Sequence, residues 1–339
     1  MLGLHVRRLS FHLGARIAAA AFGVCAIMTQ ANAQAPSNPA TTDVDASLSL
    51  ASLPDHVFSA KRSREIFAVQ VMLDRARFSP GVIDGYGGGN TVRAVAAYQR
   101  AKGMAPTGRV DATLLAALRG DGAEPVVKRH KLTEADLAGP FGDLPEGMEA
   151  LSEVAATHYE SAAEAIAEKF HMSQQLFRAL NPNIDRAVPG DAVTVAATRT
   201  TPIDGIVKRI EVDGSAAALR AYSANGQLLA SYPATVGSAE FPSPGGKMEV
   251  RAIAPSPVYY FSPNNRDWGP DKRLTIAVGP NNPVGSTWID LTQEGYGIHG
   301  TPDPRLIGKT SSHGCVRLTN WDAQELAEAV EAGTTVEFL

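Results

Sequence analysis

A change of pattern near residue 203 constrains the fold of this chain more than any other feature of its sequence. From there on, short runs that alternate or are continuously apolar predict strands, and Asn225-Gly226 between two such runs is typical of a hairpin turn. Further candidate strands follow, with one predicted helix over residues 322–331. Many strands with so little helix predict a mostly β, β-sandwich-like domain over residues 203–339, made of two packed sheets.

The upstream half has a different pattern, so the chain is predicted to be multidomain. Apolar residues at helical spacing around a turn-rich loop predict a small three-helix domain over residues 60–120. Two predicted helices and a strand indicate a small α+β module over residues 151–199. Residues 34–59 and 121–150 are rich in Pro, Gly, charged or small polar residues without periodicity, and they are predicted to be linkers.

The N-terminus predicts export. Arg7 and Arg8 precede an apolar stretch over residues 17–28, and Ala31-Asn32-Ala33 fits the small-residue cleavage pattern, so residues 1–33 are predicted to be a signal peptide cut after Ala33. The stretch is short for a membrane span, which needs about 20 residues. We therefore expect a location in the periplasm or cell envelope of a bacterium and no stable membrane span after cleavage. The alternative is a leader kept as an anchor.

Bulk composition excludes several classes of function. A formal net charge of −4 without any Lys/Arg block argues against a nucleic-acid partner. Neither CxxC nor HExxH occurs, so the usual zinc signatures are missing and no metal is expected. Of the 2 cysteines, Cys25 lies in the predicted leader, which leaves Cys315 as a single thiol. An odd cysteine in an exported protein is either an intermolecular bridge or a reactive group.

The surroundings of Cys315 favour the reactive group. A free thiol has a pKa of about 8.5, so a nucleophilic cysteine needs a base or a cation beside it. His299 and His313 are the candidates. We favour His299 as the base, because it lies on a separate segment and Gly300 beside it leaves room for close approach. Its second ring nitrogen then needs an acceptor, for which we expect a backbone carbonyl near Gly300 or Thr301.

Acyl transfer also requires donors for a developing oxyanion. Gly314 lets the backbone turn beside the thiol, so the amides of His313, Gly314 and Cys315 are the expected oxyanion hole. Arg317 follows two residues later and has two open interpretations. It either holds a substrate carboxylate or forms a structural ion pair.

These residues carry a family resemblance. The segments Ile298-His299-Gly300-Thr301 and Ser312-His313-Gly314-Cys315-Val316-Arg317-Leu318 closely resemble the YkuD-like L,D-transpeptidase catalytic domain. The resemblance implies that Cys315 is the nucleophile, that His299 is the base and that the oxyanion donors lie around His313 and Gly314. It also implies that Ser312 orders the loop, that substrate is bound around Arg317, Ser312, Gly300 and Thr301, and that no cofactor is needed.

The resemblance implies a concrete reaction on peptidoglycan. The thiolate attacks the carbonyl after the L-centre of meso-diaminopimelate in a tetrapeptide stem, D-Ala leaves, and an amine on a second stem takes the acyl group in a 3-3 cross-link. An envelope lipoprotein lysine or a D-amino acid is an alternative acceptor. Water as acceptor makes the protein an L,D-carboxypeptidase, and a hydrolase or amidase on the same fold is also open. A non-catalytic wall-binding protein is the remaining alternative. Carbapenems are expected to acylate the thiol.

Two upstream resemblances concern binding to the wall. The loop at Asp84-Gly85 with Ala97-Tyr98-Gln99-Arg100 resembles a peptidoglycan-binding helical domain. Asn181-Pro182-Asn183 followed by Val188-Pro189-Gly190 resembles a degenerate LysM module whose front strand is poorly matched. Both imply contact with glycan strands. Such tethers raise the local concentration of substrate, so loss of residues 60–199 is expected to lower activity on intact sacculi more than on soluble muropeptides.

Overall fold

The computed structural model describes residues 45–58, 61–120, 124–237, 242–263 and 269–339, and the predicted signal peptide lies outside these ranges. No helix within them is both long and apolar enough to cross a bilayer. The helices are α1 (Arg64–Arg75), α2 (Gly89–Ala101), α3 (Ala112–Gly120), α4 (Met148–Leu151), α5 (Ala162–Lys169), α6 (Gln174–Leu180) and α7 (Asn320–Ala329). The strands are β1 (Asp45–Leu48), β2 (Val127–Lys131), β3 (Ala192–Ala196), β4 (Arg209–Asp213), β5 (Ala218–Tyr222), β6 (Leu228–Pro233), β7 (Gly246–Pro255), β8 (Tyr259–Phe261), β9 (Leu274–Ile276), β10 (Thr287–Leu291), β11 (Gly297–His299), β12 (Val316–Arg317) and β13 (Thr335–Phe338).

Helices α1, α2 and α3 form the helical region expected from the sequence. Ser63 caps α1 by accepting hydrogen bonds from the amides of Glu65 and Ile66, which the first turn of a helix leaves without internal partners. The turn-rich loop is closed by Gln70, whose Oε1 accepts from the amides of Asp84 and Gly85 at 3.0 and 2.8 Å. The three helices share a core made of Val69, Leu73, Val95, Tyr98, Leu114 and Leu118.

Both predicted linkers contain strands, which corrects the sequence analysis. Strand β2 lies inside residues 121–150 and is the central strand of a three-stranded sheet, with β1 from residues 34–59 on one side and β3 on the other. The prediction was wrong because β2 is rich in basic residues and its partners lie far away in the chain. With β2 included, the α+β region runs β2, α5, α6, β3, and its two strands pair in antiparallel fashion.

The C-terminal domain is built on one curled sheet, in which the two sheets predicted from the sequence are continuous. Its eight strands are ordered β12-β11-β10-β7-β13-β4-β5-β6, beside a separate β8–β9 hairpin. The ten-residue β7 explains the difference, because its first half pairs with β13 and its second half with β10. The alternating pattern of the sequence predicts two sheets. In the structure, the single long strand β7 joins them into one. The sheet encloses an apolar core against which α7 packs.

The two edges of this sheet meet at a seam. Just after β6, Thr235 exchanges two backbone hydrogen bonds with Arg317 of β12, each 2.9 Å long. A second bridge joins Gly237 to Ser312. The seam therefore fixes the backbone on both sides of Cys315.

A buried junction ties the three regions together. The Arg199 side chain is 5% exposed and donates to Asp74 of α1 and to Asp322 and Glu325 of α7, the last two at 2.8 Å. His171, which follows α5, pairs with Asp74 at 2.7 Å. Because carboxylates from separate regions share one guanidinium, these regions form a continuous structure and are not separate modules on flexible linkers.

Candidate active site

The strand register brings the predicted site residues together. Strands β11 and β12 are parallel and adjacent, with Ile298 opposite Val316 and His299 opposite Arg317. Residues that face each other in neighbouring strands project to the same side of a sheet, and alternate residues along a strand do so too. Cys315 directly precedes β12, two residues before Arg317, and its sulfur interacts electrostatically with the Arg317 guanidinium. One face of the seam therefore carries the thiol, the imidazole and the guanidinium.

His299 is held in one tautomer. Its side chain is buried, and Nδ1 lies 2.7 Å from the carbonyl oxygen of Gly300. A carbonyl oxygen only accepts, so Nδ1 carries the hydrogen and the neutral ring keeps its lone pair on Nε2. The backbone acceptor expected near Gly300 is thus confirmed. The ring also stacks on Trp288, with centroids 5.4 Å apart.

The environment of His299 keeps the ring neutral. Burial lowers its pKa from 6.5 to about 3, and the positive charge of Arg317 acts in the same direction. Hydrogen bonding to the backbone of Gly300 and Val284 opposes these effects but does not outweigh them. A neutral imidazole keeps a lone pair that accepts a proton, but a pKa this far below neutrality makes the ring a weak base in the free protein.

The turn that presents Cys315 depends on Gly314 and Ser312. Gly314 has a φ of +113°, and a Cβ at this position would lie 2.8 Å from Cε1 of Tyr296, so a side chain would be both strained and obstructed. The Ser312 hydroxyl accepts from the Gly314 amide at 3.1 Å and donates to the Cys315 carbonyl. This confirms the expectation that Ser312 orders the loop. The Cys315 thiol is half-buried and is not part of a disulfide, and Sγ lies 3.6 Å from the Gly295 carbonyl oxygen.

The hydrogen bonds of this turn reduce the number of amides that are candidates for the expected oxyanion hole. Because the Gly314 amide donates to Ser312, it is directed into the loop and not toward a substrate. The candidate donors are then the amides of His313 and Cys315, and Gly314 contributes the shape of the turn. The side chain of His313 is exposed, whereas that of His299 is buried.

Arg317 is half-buried, and desolvation lowers its pKa from the ordinary value, while Cys315 and Tyr259 act in the opposite direction. Within the described ranges, no carboxylate oxygen lies within 4.0 Å of its guanidinium. The sequence left two interpretations of Arg317 open, a structural ion pair and a contact with a substrate carboxylate. The described part of the chain offers no partner for the ion pair. A guanidinium of this kind is suited to a carboxylate that a ligand brings.

Gly300 and Thr301 were expected to contact substrate, but the structure turns them toward the interior. The Thr301 amide donates to Oδ1 of Asn320 at 3.0 Å, and the residue is 7% exposed. A Cβ on Gly300 would lie 2.1 Å from the same oxygen. These two residues therefore hold the segment that follows His299, and direct substrate contact by the buried Thr301 side chain is not supported.

Asn320 organises this part of the site, and the sequence analysis missed it. Its Oδ1 also accepts from the Ser286 amide at 3.1 Å, and its Nδ2 donates to the Pro280 carbonyl at 3.1 Å and to Oε1 of Glu168 at 2.9 Å. The available signal was the pair of glycines that approach it, Gly285 and Gly300. Glu168 belongs to α5, and no sequence signal pointed to that contact.

The helical region also contacts the segment between the two catalytic motifs. Asn90 Nδ2 donates to the Ile307 carbonyl at 2.9 Å, and Arg93 donates to the Gly308 carbonyl at the same distance. A Cβ on Gly308 would lie 2.5 Å from Oδ1 of Asn90.

Within the described ranges, no group of three or more His, Cys, Asp or Glu side chains is placed to hold a metal ion.

Comparisons with known proteins identify two families over parts of this chain. A family model described as "L,D-transpeptidase catalytic domain" matches residues 207–338, and one described as "Putative peptidoglycan binding domain" matches residues 62–118. The chain is 30% identical over 175 residues to "Putative L,D-transpeptidase YkuD" of Bacillus licheniformis, covering 51% of this chain and 90% of that protein. It is 27% identical over 183 residues to "Probable L,D-transpeptidase YbiS" of Escherichia coli strain K12, covering 52% and 59%.

Solved structures with partial similarity include an L,D-transpeptidase from Mycobacterium smegmatis, with 23% identity, a TM-score of 0.32, and coverage of 45% of this chain and 64% of that one. Another is LD transpeptidase LdtMt1 in complex with imipenem, with 20% identity, a TM-score of 0.32, and coverage of 45% and 76%.

Proposed function

This chain belongs to the L,D-transpeptidase family, and from that premise we propose that it transfers peptidoglycan stem peptides through an acyl-enzyme on Cys315. The observation that carries the proposal is the single face of the seam that holds the Cys315 thiol, the neutral His299 ring and Arg317. A neutral imidazole on the same face as a thiol is an arrangement suited to nucleophilic catalysis. The nearby guanidinium stabilises a thiolate by Coulomb attraction.

The first half-reaction forms a thioester. His299 takes the thiol proton, and the sulfur attacks the carbonyl that follows the L-centre of meso-diaminopimelate in a tetrapeptide stem. The tetrahedral oxyanion is stabilised by the amides of His313 and Cys315. When it collapses, the C–N bond breaks, and the departing D-Ala amine receives the proton from His299. Arg317 binds a carboxylate of the donor stem.

The second half-reaction transfers the acyl group. The side-chain amine of diaminopimelate on another stem attacks the thioester and loses a proton to His299, and the thiolate leaves. The product is a 3-3 cross-link. An envelope lipoprotein lysine or a D-amino acid enters by the same route, and water gives the tripeptide of an L,D-carboxypeptidase. Every step uses side chains and amides of the protein, without a cofactor.

The proposed setting is the bacterial envelope, with peptidoglycan as both substrate and anchor. The helical region matched by the peptidoglycan-binding family model supports contact with the wall. The β2-α5-α6-β3 order, with its antiparallel strand pair, supports a LysM-like module as a second contact. Co-sedimentation of the Cys315→Ala protein with purified sacculi tests wall binding without turnover. We expect it in the pellet, and protein that stays in the supernatant argues against this anchor.

The reaction is tested by incubating the purified protein with a disaccharide tetrapeptide and separating the products by liquid chromatography with mass detection. We expect free D-Ala and a 3-3 linked dimer, and neither product with Cys315→Ala. Tripeptide monomer without dimer would reassign the protein to the carboxypeptidases. The control is a donor that a known L,D-transpeptidase consumes under the same conditions. If this protein releases no D-Ala from that donor, the proposal is contradicted.

A further inference from the structure

The segment that carries the base is held by a hydrogen-bonding chain that begins outside the catalytic domain. The carbonyl of Gly300 fixes the His299 ring at 2.7 Å, and the next amide, that of Thr301, donates to Oδ1 of Asn320 at 3.0 Å. Gly285 and Gly300 both lack room for a side chain beside that same oxygen. The position of the Gly300 carbonyl therefore depends on where the Asn320 amide lies.

Glu168 fixes the orientation of that amide. Asn320 Nδ2 donates to two acceptors, Oε1 of Glu168 and the Pro280 carbonyl. Asn320 Oδ1 accepts from two donors, the amides of Ser286 and Thr301. Only one orientation of an asparagine amide satisfies all four groups. Oε1 of Glu168 is held in turn by the Tyr159 hydroxyl at 2.8 Å.

We infer that Glu168 of α5 is a positioning residue for acyl transfer, acting through Asn320 and Gly300 on the orientation of His299. The inference rests on the proposed function and adds that the region upstream of the catalytic domain completes the active site. It also changes the expectation for residues 60–199. Tethering alone predicts a loss confined to intact sacculi, whereas a positioning contact from α5 predicts a loss on soluble substrates as well.

The acceptor oxygen of Glu168, and not its charge, is what this role requires. Burial raises the pKa of Glu168 from 4.5 to about 7, so the protonated and ionised forms coexist near neutral pH, and each retains an oxygen that accepts from Asn320 and Tyr159. A glutamine at this position offers the same acceptor. An alanine leaves the Tyr159 hydroxyl and one Asn320 donor without their partner, so the amide is held by three of its four contacts and its position is less tightly fixed.

The test compares Glu168→Ala and Glu168→Gln in the full-length protein, with Glu164→Ala as a matched control. Glu164 lies on the same helix and reaches the same domain, but its Oε1 accepts from Asn281 at 3.0 Å and not from Asn320. The first readout is the second-order rate constant for acylation by a carbapenem, followed by intact mass spectrometry. The second is the long-range ¹H–¹⁵N spectrum of histidine-labelled protein, with the His299 ring assigned from His299→Gln.

A misplaced base lowers rates steeply, so Glu168→Ala is expected to acylate about 10- to 100-fold more slowly than the parent. Glu168→Gln and Glu164→Ala are expected to stay close to the parent rate. The His299 ring should show one Nδ1-protonated tautomer in the parent and in Glu168→Gln, and a mixture of tautomers in Glu168→Ala. If Glu168→Ala does not fold, Glu168→Asp, which withdraws the acceptor by one methylene, takes its place in the same comparison.

The inference is overturned if the Glu168→Ala protein, or its Glu168→Asp substitute, keeps the parent rate and a single His299 tautomer. It is also overturned if Glu164→Ala slows acylation equally. A parent protein that reacts with a simple thiol reagent but never with a carbapenem or a tetrapeptide would contradict the proposed function instead. The His299 spectrum would still decide whether Glu168 sets the ring, so the two failures are distinguishable.

Discussion

The junction around Arg199 and the active site around Arg317 each hold a guanidinium that is at least partly withdrawn from water. At the junction, Asp74, Asp322 and Glu325 contact Arg199 directly. At the active site, the ionisable groups that act on Arg317 in the described part of the chain are the Cys315 thiol, the Tyr259 phenol and the His299 imidazole, and no carboxylate there lies within 4.0 Å. The first cation is neutralised by the fold, and under the proposed function the second is left for a charge that the substrate brings or that develops during the reaction.

The ionisable partners of the two arginines differ accordingly. Burial on its own would raise the pKa of Asp74, but Arg199 and His171 beside it hold that pKa well below its ordinary value. At the active site, burial and Arg317 act together on His299 and keep the ring neutral. A buried guanidinium that the fold surrounds with carboxylates has a structural role, and one without a carboxylate partner is available for chemistry.

Breaking the junction should have the largest effect. Arg199→Met removes the cation that three buried carboxylates share, and loss of one member of a buried ion pair costs about 3–5 kcal/mol of unfolding free energy. Arg317→Met, which removes no described ion pair, is the matched control and should cost about 1 kcal/mol or less. Urea unfolding followed by circular dichroism measures both. Equal losses for the two variants would remove the distinction between junction and site.

Removing the proposed base should lower the rate of acylation with little change in the unfolding free energy. His299→Gln is expected to lower the rate constant of carbapenem acylation by about 10²- to 10⁴-fold, the range typical of a general base. Its unfolding free energy should change far less than that of Arg199→Met. Intact mass spectrometry over time gives the rate. A His299→Gln protein that acylates at the parent rate would show that the base lies elsewhere.

The raised pKa of Glu168 predicts a pH-dependent difference in stability. The folded state holds this proton more tightly than the unfolded chain, so the parent loses stability as pH rises from 4.5 toward 7. Glu168→Gln does not titrate, so its stability relative to the parent should increase between pH 5 and pH 8 by about 1–3 kcal/mol. Urea unfolding at the two pH values measures this change. A difference that stays constant with pH would mean that Glu168 does not titrate in this range.

Of the changes predicted here, neutralising Arg317 should have the smallest effect, and it should act on the pKa of His299. Its charge is the second cause of the lowered pKa, after burial, so Arg317→Gln should raise the His299 pKa above about 3 without restoring it to 6.5. The same variant should slow acylation about 10-fold, because the thiolate loses its neighbouring cation. An NMR titration of the His299 ring from pH 8 downward measures the pKa. No change between parent and variant would place the guanidinium beyond electrostatic reach of the ring.

The active-site residues were predictable because their signals are local. His299 and Cys315 lie in two short segments, and the resemblance of those segments to a known catalytic domain is what assigns the two proposed roles. The tautomer of His299 was predictable for the same reason, since its acceptor is the adjacent residue. The parallel pairing of β11 with β12 then brings the two segments together in the fold.

The contacts that join the regions were not predictable from local pattern. Glu168 and Asn320 are separated by 152 positions in the chain, and Arg199 and Asp74 by 125. Strand β2 was predicted to be part of a linker because its neighbours β1 and β3 come from distant segments. Alternation along β7 indicates which side chains face the core, but it does not indicate that one strand pairs with β13 and then with β10.

The most direct test of the account is intact mass spectrometry of residues 34–339, the predicted mature chain, before and after exposure to a carbapenem, beside Cys315→Ala. Without the leader, Cys315 is the one cysteine that remains of the 2 in the sequence. The account predicts one covalent adduct per parent chain and none on Cys315→Ala. An adduct that persists on Cys315→Ala, or none on a parent whose thiol still titrates, would contradict the assignment of Cys315 as the acylated nucleophile.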